Sequence, residues 1–221
     1  SGRLEGWSGL GLAVQAYQKR AQDVLRHLIG VARETNRLLH VRLVKGAYWD
    51  AEIKRAQERG LPGFPVFTRK PATDVSYLAC ARLILEQGAG HLYPQFATHN
   101  AQTVAAVWHM ARRFGREFEF QRLHGMGEAL YAEVTRPDGL GVPCRVYAPV
   151  GEHEDLLPYL VRRLLENGAN TSFVNRIVNE AEPVENIVAD PVRSVDEVGH
   201  APHPRIPLPV DIYQPERRNS T

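Results

Sequence analysis

Five short apolar blocks, each followed by a stretch with helical spacing, limit what this chain can fold into. The first block, Gly9–Ala16, is flanked by glycine and reads as a buried strand with Gln15 near its C-terminal end. The others are His40–Gly46, Leu92–Asn100, Glu117–His124 and Pro143–Pro149. Between the first two, Val24, Leu25, Leu28, Ile29 and Ala32 recur with helical spacing. Asp50–Arg59, Ala101–Phe114 and Glu128–Val134 also read as helices, as does Thr73–Gln87 with Thr73 as its N-cap. A loop rich in glycine and proline spans Gly60–Ala72, and a further short helix is expected over Ser172–Asn179.

Strand and helix in alternation mean a parallel sheet covered by helices. No Gly-x-Gly-x-x-Gly follows any strand, which argues against a doubly wound dinucleotide-binding fold. Polar residues gather instead at the C-terminal ends of the strands: Gln15, Lys45, Thr98, His99, Asn100, His124 and Tyr147. In a (βα)8 barrel that is where the chemistry sits. A full barrel needs eight strands and about 250 residues. Five strand blocks therefore predict an α/β fold that is the last five βα units of a TIM-type barrel, with three units upstream.

Composition excludes several function classes. A formal charge of +2 leaves no footprint for a nucleic-acid partner. No apolar run approaches the ~20 residues of a membrane span, and the start, Ser1-Gly2-Arg3, has no signal-peptide pattern. Cys80 and Cys144 have no metal-ligand spacing, and no carboxylate completes a triad with His99 and His124, so no metal is expected. A reduced, cytoplasmic setting follows. The last forty residues hold seven of the fifteen prolines and read as an extended linker or a tail lying over another surface.

The candidate chemistry starts with the helix Asp155–Asn167. It aligns Tyr159, Arg162, Arg163 and Glu166 on one face and is apolar over most of its remaining circumference, so it is expected to pack against a core. Arg162 and Arg163 are either a solvated doublet or a carboxylate clamp. Arg42 lies mid-strand, where both faces are expected to be dry, and needs either an internal acid or an electron-rich partner. Lys45 is a Schiff-base nucleophile or the partner of an acid or phosphate. Arg69 and Lys70 suit a phosphate, or are a solvated pair. Tyr147 and Tyr159 wall a small pocket or pack as ordinary rim residues.

Four stretches carry a resemblance: Val41-Arg-Leu-Val-Lys-Gly-Ala-Tyr-Trp-Asp50, Phe96-Ala-Thr-His-Asn100, Phe120-Gln-Arg-Leu-His-Gly-Met-Gly-Glu128 and Tyr159-Leu-Val-Arg-Arg-Leu-Leu-Glu-Asn-Gly-Ala-Asn-Thr-Ser-Phe173. Together they resemble the proline dehydrogenase domain of bacterial proline utilization A. The resemblance implies a distorted (βα)8 barrel that binds FAD non-covalently. It implies oxidation of L-proline to Δ1-pyrroline-5-carboxylate, with hydride passing from the ring to flavin N5 and electrons passing on to a membrane quinone. A downstream pyrroline-5-carboxylate dehydrogenase domain and peripheral membrane contact are implied as well. Residues 1–181 would then be barrel and 182–221 the connector.

Residue by residue, the resemblance gives Arg162 and Arg163 the proline carboxylate. Tyr147 and Tyr159 would pack over the ring, with Ala47, Tyr48 and Leu123 nearby. Arg42 would reach flavin N5, and Gln15 the pyrimidine edge. Thr68, Lys70, Thr98, His99, Asn100, Gln121, Arg163 and Glu166 would line the rest of FAD, with Val44, Lys45, Gly46, Ala47 and Trp49 in the same wall. The catalytic set is Arg42, Tyr147, Arg162 and Arg163. The upstream strands of that family supply a lysine and an aspartate with no counterpart in these residues. A segment lacking them is expected to fold poorly and to be inactive unless another chain supplies those strands. Two other readings stand beside this one: a non-catalytic fragment of such an enzyme, and a Schiff-base lyase using Lys45.

Overall fold

The computed structural model describes residues 7, 9–168, 183, 185, 188–199 and 201–219, and their side chains except those of 164–168. The helix expected over Ser172–Asn179 lies outside the described residues. Five parallel strands, β1 (Gly11–Gln15), β2 (Leu39–Val44), β3 (Leu92–Ala97), β4 (Glu119–Leu123) and β5 (Cys144–Tyr147), form one sheet in sequential order. The helices are α1 (Ala21–Glu34), α2 (Trp49–Glu58), α3 (Lys70–Gln87), α4 (Ala101–Phe114), α5 (Glu128–Thr135), α6 (His153–Gly168) and α7 (Pro191–Val198).

Sequential order means that the winding never reverses. Right-handed crossovers then put their helices on one side of the sheet. Leu39, Val41 and Leu43 of β2 and Leu92 and Phe96 of β3 face that side. There they share a core with Leu25, Leu28 and Ile29 of α1 and Tyr77, Cys80 and Ile84 of α3. The alternate residues His40, Arg42, Val44, Tyr93, Gln95 and Ala97 are only partly buried. The expectation that both faces of β2 are dry is thus corrected, because these helices cover only one of them. β1 is corrected too: Gly11, Leu12 and Ala13 are exposed because β1 is the sheet edge and pairs only with β2.

The sheet curves around its uncovered face. β2 and β5 are three strand spacings apart, about 14 Å in a flat sheet. Yet the Arg42 guanidinium lies 4.1 Å from the centre of the Tyr147 ring. Inward curvature brings those two side chains together.

Two local expectations are also corrected. Helix α3 starts at Lys70, so Thr73 is a buried residue of its first turns and caps nothing. Pro71 accounts for the earlier start, since its fixed φ suits a first turn where no N–H partner exists. Helix α6 was expected to bury its apolar side, but Leu157, Leu160 and Val161 are 50%, 46% and 45% exposed. Among its described side chains, Arg162 and Arg163 of the polar face make contacts, to Asp50 and Tyr48 and to Tyr159.

A second small core of Tyr17, Ile53, Ala56, Phe64 and Val66, joined by Ile206, holds the 60–69 loop against α2. The C-terminal segment continues over this region. Helix α7 lies on α3. The Arg69 Nε–H donates to the Ala201 carbonyl at 2.9 Å, and Thr68 Oγ1 accepts the His203 N–H at 2.9 Å.

Candidate active site

A cleft of about 490 Å3 opens at the C-terminal ends of the strands. From β1 and β2 it is lined by Ala13, Gln15, Arg42 and Val44, followed by Lys45, Gly46, Ala47 and Tyr48 after β2. Ala97, Thr98, His99 and Asn100 close the β3 side, and Gln121, Met126 and Tyr147 the far side. Lys70, Tyr159 and Arg163 complete the rim. Fifteen of the residues singled out from the sequence therefore meet in one place, and Ala13, Ala97 and Met126 are additions. Alternation from Gln15 and Gln95 would have found the two alanines. Met126 falls inside the Phe120–Glu128 stretch, but the resemblance gives it no role; it sits in the turn after β4 and its carbonyl accepts from Arg122 Nη1 at 3.0 Å.

Trp49 and Thr68 lie instead in a neighbouring cleft of about 370 Å3, which shares Lys45, Gly46 and Lys70 with the first. Leu123 is 6% exposed and does not line either cleft; its N–H donates to His99 Nε2 at 3.1 Å. Arg162 turns away from Arg163. Its Nη1 donates to Asp50 Oδ1 at 2.7 Å and its guanidinium lies 4.7 Å from the Tyr48 ring centre. Arg163 lies 5.3 Å from the Tyr159 ring centre and faces the cleft. The Glu166 side chain lies outside the described residues.

Arg42 is the central cation. It is stacked on Tyr147, and its Nε is buried with no hydrogen-bond partner among the described residues. Among the described residues no acid forms an ion pair with Arg42; Glu119, on the same face, is bound to Arg145. Lys45 does have an acid. Its ammonium bonds Asp74, which also takes Lys70 Nζ at 2.8 Å. Burial pulls the Lys45 pKa down and Asp74 partly restores it. Burial works to raise the Asp74 carboxyl, but Lys45 and Lys70 outweigh it and hold it below the usual carboxylate range. The Lys45 ammonium thus points to α3, where it also lies 5.9 Å from the centre of the Tyr77 ring, and Gly46 after it takes a positive φ of 145°.

The Thr98-His99-Asn100 turn is fixed by its own bonds. Tyr131 Oη donates to the Thr98 carbonyl at 2.7 Å, and Asn100 Oδ1 caps α4 by accepting the Thr103 N–H at 2.9 Å. Thr98 Oγ1 accepts the Asn100 N–H at 3.1 Å. Burial, aided by Arg122, lowers the His99 pKa to about 4, so the ring is neutral at pH 7. With Nε2 accepting from Leu123, the proton is on Nδ1. The side-chain acceptors Thr98 Oγ1, His99 Nε2 and Asn100 Oδ1 are each engaged, and the side chains still have donors to offer: the Thr98 hydroxyl proton, His99 Nδ1–H and the Asn100 NH2.

Beneath the cleft, sequence reading missed a polar hub. Glu119 is 5% exposed on the inner face of β4. Its carboxylate accepts Gln95 Nε2 and Gln121 Nε2, both at 2.9 Å, and Arg145 through Nε at 2.8 Å and Nη2 at 2.9 Å. Burial works against its charge, but these bonds prevail and its pKa is lowered. The alternation Glu117-Phe-Glu-Phe-Gln121 does put Glu119 and Gln121 on one face, and that signal was available.

Comparison with known proteins agrees with this architecture. The family model of proline dehydrogenase matches residues 1–176. The bifunctional protein PutA of Salmonella typhimurium is 58% identical over 98% of this chain, and that of Rhizobium meliloti is 56% identical over 99%. A crystal structure of a mutant of proline utilization A from Bradyrhizobium japonicum superposes with a TM-score of 0.90 at 56% identity over 100% of this chain. The chain spans 17%, 18% and 22% of those three proteins. A model match over most of the chain, and relatives of this identity along almost its entire length, identify it: the chain belongs to the proline dehydrogenase family.

Proposed function

We propose that this chain supplies the active-site wall of a flavin-dependent proline dehydrogenase, which binds FAD in the cleft and oxidises L-proline to Δ1-pyrroline-5-carboxylate. The observation that carries this reading is Arg42, a cation on the inner face with a buried donor atom and an aromatic neighbour. Such a donor needs an acceptor. The N5 edge of a flavin is one. The donors of Thr98, His99 and Asn100 suit the ribityl and phosphate oxygens. When bound, FAD supplies the acceptor for the hydride leaving the proline ring.

The chain's own residues then have defined tasks. Arg42 holds a fixed positive charge where negative charge grows, at no cost of reorganisation. Arg163, which lines the cleft, takes the proline carboxylate and thereby sets the orientation of the ring; Arg162 joins it only when its bond to Asp50 opens. Tyr147, Tyr159 and Tyr48 form apolar walls that exclude water. Lys45 is held by Asp74 as an ion pair, which works against the Schiff-base alternative.

The barrel reading extends the same logic. The one-directional sheet, its curvature and the exposed Leu10 and Leu12 at the β1 edge suit closure by further βα units. On this reading 1–181 is barrel and 182–221 the connector to a pyrroline-5-carboxylate dehydrogenase domain, and electrons leave to a quinone. Among the described residues no helix is long and apolar enough to cross a membrane. We place the enzyme in the cytoplasm with peripheral membrane contact.

The test is spectroscopic. The full-length protein carrying this chain is expected to be yellow, and its flavin absorbance to bleach when proline is added without oxygen. A folded but colourless protein, or a flavin that proline leaves oxidised, overturns the reading.

A further inference from the structure

A carboxylate accepts and never donates, so every group within bonding distance of Glu119 must present a donor to it. Gln121 meets Glu119 at 2.9 Å and must do so with its NH2. Arg145 grips the same carboxylate through two nitrogens and keeps it ionised, so this polarity cannot reverse. The other end of the Gln121 carboxamide, its carbonyl oxygen, is the atom left for the cleft that Gln121 lines. Gln15 is fixed the opposite way. Its Oε1 accepts the Ala47 N–H at 3.2 Å, which leaves its NH2 for the cleft. Two glutamines on one cleft thus carry opposite, locked polarities.

We propose that Glu119 is a positioning residue that locks Gln121 as a hydrogen-bond acceptor toward the bound ligand, and that the donor it meets is the N3–H of a flavin pyrimidine ring. The inference rests on the flavin reading above. A hydroxyl rotates to donate or accept, so a locked acceptor gains nothing against the ribityl chain. It gains only against a donor of fixed direction. The oxidised isoalloxazine ring has one such group, N3–H, flanked by carbonyl oxygens of the kind Gln15 can bind. The adenine amino group is the other fixed donor in FAD, and the experiment separates the two.

The full-length apoprotein is titrated with FAD and with N3-methyl-FAD, and binding is followed by flavin fluorescence. The wild type is expected to favour FAD about tenfold, the value of one hydrogen bond whose acceptor would otherwise be left unpaired. Glu119→Gln can offer either polarity to Gln121, so the preference is expected to fall below about threefold. Gln121→Leu leaves Glu119 and its bond to Arg145 in place, and should abolish the preference even where Glu119→Gln folds poorly. A general loss of structure would weaken both ligands equally and leave the ratio unchanged. An unchanged ratio in Gln121→Leu, which keeps the Glu119–Arg145 pair, or no preference in the wild type, overturns the proposal and leaves the flavin reading intact; both outcomes are expected if the adenine amino group is the donor read. A wild type that binds neither flavin overturns the flavin reading, and the N3–H assignment with it.

Discussion

Arg42 of β2 and Tyr147 of β5 meet at 4.1 Å across an inner face where two other strands separate them in the sheet. The ring both orients the guanidinium and shields it from water. Arg42→Met in the full-length enzyme is expected to lower kcat/KM about 10²- to 10³-fold, the loss typical of one fixed charge at a reacting centre. Steady-state kinetics with proline measure this. Tyr147→Phe keeps the ring and should change the rate little, whereas Tyr147→Ala should approach the Arg42 variant.

The two arginines of α6 differ in surroundings, and their variants should differ too. Arg163 faces the cleft, while Arg162 is bonded to Asp50. Arg163→Met is expected to raise KM for proline by about 10²-fold, the loss of one charge-assisted carboxylate contact. Asp50→Asn removes this ion pair from Arg162 and should lower KM if Arg162 also binds the carboxylate. Equal KM in wild type and Asp50→Asn would remove Arg162 from the substrate site.

Asp74 stands between two ammonium groups, those of Lys45 and Lys70. Asp74→Asn leaves both cations facing one neutral amide. Stability is expected to fall by roughly 2 to 4 kcal/mol, as when one partner of a buried pair is removed. Urea unfolding measures it. Lys45→Met in the Asp74→Asn background should recover part of the loss.

His99 gives a pH dependence of known sign. Burial holds its folded pKa at about 4, below the value near 6.5 of an exposed histidine. Between those values the unfolded chain binds more protons, so stability rises with pH. The contribution is fully present above about pH 6.5 and is lost as pH falls toward 4. Unfolding midpoints measured from pH 7 to 4 should decline, and His99→Gln should flatten that decline.

Gly46 ends β2 with a φ of 145°, and a Cβ there would collide with the Tyr17 ring. Gly46→Ala is expected to cost roughly 1 to 3 kcal/mol of stability, the range for a residue forced into such backbone. It should also weaken cofactor binding, since Gly46 lines both clefts.

Much of this was legible in the sequence because two periodicities carry it. Apolar blocks closed by polar residues located the strand ends, and Ala101–Phe114 was read with the bounds it has. What escaped depends on contacts distant in sequence. Lys45 offers no hint of Asp74, 29 residues later, which is why a nucleophile and an ion pair could not be told apart. The alternation around Glu119 reveals a face but not which face points inward, so the hub stayed hidden. Helix α6 shows the opposite limit: its apolar spacing describes what the helix is able to cover, while Leu157 and Leu160 remain half exposed.

The segment after Pro191 carries a mechanical consequence. Its backbone at Ala201 and His203 fastens the side chains of Arg69 and Thr68, and Asn219 reaches back to the Gln57 carbonyl at 2.5 Å. Of the two readings its composition left open, a linker or a tail over another surface, the described residues fit the tail, which acts as a buckle on the mouth of the second cleft. Proteolytic nicking near residue 190 would unfasten that mouth without touching any residue inside it.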